Sequence, residues 1–175
     1  MLRLFEGAIF VAFSLLLSLG LAFAYFSQYY LHVETCAMCY TQRYLFMGAI
    51  VILFMTGVFF DKSPVLKYLS LLALAANLAF SGFHVGVEQK WWKGPSTCVS
   101  NTQLDLKKAS PEQALEQLKL QLSEKKFVPC DRVGWRIFGI PVTMLNTLFL
   151  FMLFFITLKV IIRCHKRSSQ IFYKK

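Results

Sequence analysis

The sequence predicts an all-α membrane protein: a bundle of four transmembrane helices, with a long extracytoplasmic loop between the third and fourth that carries a short amphipathic helix. Three observations predict it. Of the 175 residues, 57% are hydrophobic, more than an ordinary soluble domain carries. Four apolar stretches, at about 8–30, 40–60, 65–87 and 137–162, each reach the length of about 20 residues that crosses a bilayer core. The intervening segment 88–136 is polar and charged. The whole chain, 1–175, is read as a single membrane domain.

The first span is apolar from residue 8 onward. Ala22-Phe23-Ala24 resembles a signal-peptidase site, so a cleaved leader is the alternative reading. Glu6 and the apolar residues beyond Ala24 speak for a retained helix. The second span begins with polar residues and then runs from Tyr44 to Phe60 without a charge. Asp61-Lys62-Ser63-Pro64 is a short turn into the third span. There, Ala75-x-x-x-Ala79 and Gly82-x-x-x-Gly86 have the small-xxx-small spacing of closely packed helices, and Asn77 can hydrogen-bond a neighbour. Tyr25, Tyr29, Tyr30, Trp91, Trp92 and Trp135 collect near one boundary, as an interfacial aromatic belt does.

Four spans place both termini on one side, with the 61–64 turn. That side holds nine of the 19 Lys and Arg and two of the nine acids, so counts alone do not separate the two faces. Position does. Arg163-Cys164-His165-Lys166-Arg167 lies directly against a span, which marks the termini as cytoplasmic. The net charge of +10 is thus membrane topology, and nucleic acid is not expected as a partner.

Of the five cysteines, Cys36, Cys39, Cys98 and Cys130 fall on the outer side and Cys164 on the inner. Outer cysteines suit redox chemistry. The close Cys36-Ala37-Met38-Cys39 spacing favours pairing within that motif, leaving Cys98 and Cys130 to each other across the long loop. If the helix includes both cysteines, Cys36, Cys39 and Arg43 share a face, and the helix N-terminus and Arg43 both favour a thiolate. Arg43 is either a snorkelling helix-end residue or a cation for the carbonyl oxygen of a quinone. His84 is either a packing residue or part of the same site. Within the loop, Ser110-Pro111-Glu112-Gln113 is a helix start, and Leu115, Leu118 and Leu122 make that helix amphipathic. The four outer cysteines lack the spacing of a zinc site, so no metal is expected. Cys164 reads as a bystander thiol.

The run Cys36-Ala-Met-Cys39-Tyr-Thr-Gln-Arg43 resembles the C-x-x-C-x-x-x-R motif of the disulfide bond formation protein B (DsbB) family. Also similar are the order of spans and cysteines, His84-Val-Gly-Val-Glu88 with Gly94-Pro95-Ser-Thr-Cys98, and Pro129-Cys130-Asp131 with Trp135-Arg136-Ile-Phe-Gly139-Ile-Pro141. The resemblance implies a bacterial inner-membrane enzyme, a thiol:quinone oxidoreductase. Its partner would be a periplasmic thioredoxin-fold dithiol oxidase of the DsbA type, its acceptor ubiquinone or menaquinone drawn from membrane lipid. Cys98, Cys130, Cys36 and Cys39 would be catalytic, with Arg43 and His84 at the quinone. A tetraspan protein whose disulfides only staple the loop is the alternative, as is a paralogue serving one dedicated partner.

Overall fold

A computed structural model describes residues 2–59, 63–95, 130 and 135–173. Cys98 and the expected amphipathic helix around 110–122 lie outside the described residues. Four long helices dominate: α1 (Leu2–Tyr29), α2 (Ala37–Val58), α3 (Pro64–Glu88) and α4 (Val142–Tyr173). All four contain a window long and apolar enough to cross a membrane. The fourth span starts later than the sequence suggests. Residues 136–141 instead form a hairpin of β1 (Arg136–Ile137) and β2 (Ile140–Pro141), paired antiparallel with Ile137 opposite Ile140. Phe138 and Gly139 both have positive φ, the geometry of a two-residue hairpin turn. A hydrogen bond from Val142 N–H to the Trp135 carbonyl (3.1 Å) closes the hairpin onto α4.

The helices pack in chain order, α1 on α2, α2 on α3 and α3 on α4, while α4 meets α1 only lightly. The inward faces follow a regular alternation of three and four residues. On α2 the buried positions include Gln42, Phe46, Ala49, Leu53 and Thr56. On α3 they include Ser70, Leu74, Asn77, Ser81, His84 and Glu88. This is the seam spacing of nearly parallel helix axes. Large apolar residues such as Val51, Phe54, Leu72 and Leu148 point outward, as lipid-facing surface requires. The apolar core runs through Phe10, Leu17, Phe46, Leu53, Leu74 and Leu150.

Polar pins cross this seam. Thr56 Oγ lies 2.6 Å from Ser70 Oγ, joining α2 to α3. Asn77 Nδ2 donates to the Leu45 carbonyl of α2 at 3.1 Å, the interhelical bond its sequence position suggests. Ser81 Oγ lies 2.7 Å from Thr147 Oγ1 and accepts from Asn146 Nδ2, joining α3 to α4. Such bonds average about 0.6 kcal/mol in membranes, so they fix register more than they add stability.

The glycines of α3 do not serve as helix contacts. Gly82 faces open space, whereas a Cβ on Gly86 would strike the indole of Trp92. Trp92 gets there because α3 ends in a reversal: Trp91 N–H reaches the Gly86 carbonyl and Lys90 N–H the Val87 carbonyl, with Lys90 at φ 61°. This bond pattern is a Schellman cap. It folds Trp92 back to stack on Phe83 at 5.9 Å and donate to its carbonyl. The glycine at a real helix–helix approach is Gly57, where a Cβ would crowd Val11 and the Gly7 carbonyl of α1.

Candidate redox site at the head of the bundle

Cys36 caps α2 rather than belonging to it. Its backbone is extended, and its sulfur accepts the Cys39 N–H at 3.3 Å. A cap residue whose side chain bonds the exposed amides of the first turn is what a helix N-terminus needs. Cys36 and Cys39 are both free thiols, with sulfurs 2.9 Å apart. His84, buried on α3, places Nε2 3.4 Å from the Cys36 sulfur.

The Cys36 thiol is held far below the ordinary thiol range, at about 4. The main cause is the hydrogen bond from Cys39, with His84 as a second favourable partner and burial opposing both. Sequence reasoning favours a thiolate at the motif because of the helix end and Arg43. In the dithiol pair the geometry directs that charge to Cys36, since the Cys39 thiol and His84 both face its sulfur and the cap amide adds to them.

Arg43 does not snorkel. It is buried, and it donates to Gln28 Oε1 and, at 3.1 Å, to the Ala24 carbonyl of α1. The guanidinium lies 4.6 Å over the Tyr25 ring and 5.2 Å from that of Tyr40, at cation–π range. Gln28 uses both ends of its amide: the oxygen takes Arg43 and the nitrogen donates to Tyr40 Oη at 2.6 Å. Gln28 therefore sets the direction of Arg43. Of these residues, sequence reasoning placed Tyr25 in the aromatic belt and did not single out Gln28 or Tyr40.

Cysteines, Arg43 and His84 line one cavity of about 430 Å³, within the usual range for a small-molecule site. Leu21, Phe46, Leu145 and Phe149 supply apolar wall, and Gln28, Gln42, Glu88 and Asn146 supply polar groups. Glu88 accepts from Thr143 of α4. Gln42 Nε2 is a buried donor with no hydrogen-bond partner among the described residues, next in sequence to Arg43. Phe23 of α1 stacks on Trp135 at 5.8 Å, and both line the cavity.

Cys130 belongs to the same place. It is disulfide-bonded, almost fully buried, and packed in a cluster with Cys36, Met38 and Val87. Cys98, its expected partner, lies outside the described residues. Cys164 is far along the chain, packed at the edge of the apolar core. Three of the four expected redox cysteines, together with Arg43 and His84, thus meet at one end of the bundle.

A family model for disulfide bond formation protein DsbB matches residues 6–160. No curated protein and no solved structure matches the chain.

Proposed function

This chain belongs to the disulfide bond formation protein B (DsbB) family, and from that premise we propose that it re-oxidises a periplasmic DsbA-type thioredoxin-fold oxidase and hands the electrons to a membrane quinone. Membership makes it a multi-pass membrane oxidoreductase of disulfide-bond formation, in a family that is quinone-linked in general. The proposal places it in the bacterial inner membrane with both termini cytoplasmic.

One observation carries the reading: the disulfide-bonded Cys130 is buried against Cys36. Two cysteine pairs in contact can exchange by thiolate attack. In the proposed sequence, a thiolate of the reduced partner attacks Cys98 and forms a mixed disulfide, releasing Cys130. The second partner thiol resolves that bond, so the partner leaves oxidised. Cys130 attacks Cys36 of the closed Cys36–Cys39 pair and frees Cys39. Cys98 then attacks Cys130, restoring the loop disulfide and leaving Cys36 and Cys39 as dithiol.

The cavity fits a quinone head-group. Arg43 and the unpartnered Gln42 Nε2 are donors for carbonyl oxygens, and Phe46, Leu145 and Phe149 are wall for an apolar ring. A bound quinone supplies an acceptor of two electrons and two protons. Arg43 would orient it and stabilise negative charge on oxygen. His84 would hold the Cys36 proton at Nε2 as the pair closes. The net reaction converts one partner dithiol and one quinone, ubiquinone or menaquinone, to one partner disulfide and one quinol.

The test mixes purified protein, reduced thioredoxin-fold partner and a soluble quinone, and follows quinone absorbance. Turnover is expected, and Cys39→Ser or Cys98→Ser should reduce it to background. Full turnover by Cys39→Ser would refute the reading.

A further inference from the structure

The cavity head contains a second constellation. Cys36 Sγ, Cys39 Sγ and His84 Nε2 all lie within 4.8 Å of one another. We propose that the reduced pair, with His84, forms a reversible site for a thiophilic divalent d¹⁰ cation, zinc or cadmium, which locks the two cysteines in their dithiol state.

The geometry is close to what such an ion demands. Tetrahedral zinc bonded at about 2.3 Å to sulfur and 2.0–2.1 Å to nitrogen separates two sulfurs by about 3.8 Å and sulfur from nitrogen by about 3.5 Å. The Cys36–His84 separation is 3.4 Å already. The two sulfurs stand at 2.9 Å and need to part by a little under 1 Å, a movement that a rotamer adjustment at Cys39 supplies. The ligands come from rigid places: the cap of α2, its first turn, and the buried face of α3. A fourth position faces the cavity, as in sites that exchange ligands rather than structural sites.

Two features make the site labile. The other ring nitrogen of His84, Nδ1, has no hydrogen-bond partner among the described residues, whereas strongly held zinc histidines are braced there. Arg43 lines the same cavity, and its charge opposes a divalent cation. The cation is therefore a reversible occupant. Binding exchanges the protons still held by the pair for one ion, with no change of oxidation state. The Cys36–Cys39 disulfide has no thiolates to offer, so oxidation and ion binding exclude one another.

The experiment needs neither quinone nor partner, so its outcome is separate from that of the oxidase reading. Full-length protein carrying Cys98→Ser, Cys130→Ser and Cys164→Ser is reduced, freed of reductant without air, and titrated with cadmium while the ultraviolet thiolate-to-metal band is followed. Zinc affinity is read by competition with a chromophoric chelator. One ion per chain, bound with release of protons, is expected for the dithiol, and none for the disulfide. His84→Ala should keep the stoichiometry and weaken binding at least tenfold. His84→Gln serves the same purpose if circular dichroism shows His84→Ala misfolded. Unchanged affinity without the imidazole, binding by the disulfide form, or no binding by the dithiol would each overturn the proposal.

Discussion

Nε2 of His84 lies 3.4 Å from the sulfur of Cys36, so the third helix reaches across the bundle to the residue that starts the second. The contact ties the redox pair to a helix that is itself pinned at Ser70, Asn77 and Ser81. A shift of α3 by a turn would remove the histidine from the cysteine and the hydroxyls from their partners together.

Gln28→Ala should act on the acceptor side of the reaction alone. It removes the group that aims Arg43 and, with it, the amide that donates to Tyr40 Oη. A hydrogen bond to a charged group is worth about 1.5–3 kcal/mol, which is roughly a ten- to hundredfold rise in apparent quinone KM. Steady-state kinetics at varied quinone, with partner saturating, checks this; an unchanged KM would mean that Arg43 is held by Ala24 and the tyrosines alone.

Arg43→Lys should fail to restore what Arg43→Ala loses. Lysine is a point charge without the planar fork that bonds Gln28 and Ala24 and lies over Tyr25. Both variants are expected to raise quinone KM, with Lys recovering under a tenth of the loss. Recovery to near the wild-type value would show that charge, rather than placement, is what the cavity uses.

The two glycines of α3 should respond differently. Gly82→Ala adds a methyl to open space and should be silent. Gly86→Ala must displace the Trp92 indole from Phe83, at a cost of about 1–3 kcal/mol as overpacking, visible as a change in tryptophan emission and a lower midpoint in thermal unfolding. Equal responses would contradict the packing of the α3 reversal.

Gly57→Leu should weaken the α1–α2 contact, because the side chain meets the Gly7 carbonyl and Val11 rather than lipid. Loss of about 1–3 kcal/mol is expected in unfolding from detergent, with quinone KM little changed, since the cavity lies at the opposite end of α2.

Cys164→Ser should leave turnover and stability within error, measured by the same quinone assay and by thermal unfolding. A clear loss of activity would place that thiol in the reaction after all.

The number and order of spans were readable because length and apolarity are set by the bilayer, whatever packs against what. Which face of each helix points inward is harder to read, because lipid and core are both apolar. The readable signal is the opposite of that in a soluble protein: Gln42, Thr56, Ser70, Asn77, Ser81, His84 and Glu88 are polar residues in apolar spans, and within each helix their spacings of 3, 4, 7 or 14 residues trace the seam. Applied to Gln28 on α1, the same signal would have placed it at the site. The Gly82-x-x-x-Gly86 spacing misled for a related reason. A gap left by glycine can be filled by any neighbour, and here a tryptophan folded back by the helix cap reaches it first. The start of α4 was placed too early because Ile137, Phe138 and Ile140 are as apolar as a helix would be, although Gly139 and Pro141 break the run.

The sparing contact between α1 and α4 has a consequence for how reaction rates should be expressed. Both helices wall the cavity, so a quinone of the kind proposed above, entering between them, comes from the bilayer. Its effective supply is then a mole fraction in lipid. Diluting vesicles with buffer at a fixed ratio of ligand to lipid should leave the rate per enzyme unchanged, while fusing in empty lipid should lower it in proportion. For such a protein, the size of the membrane is itself a kinetic variable.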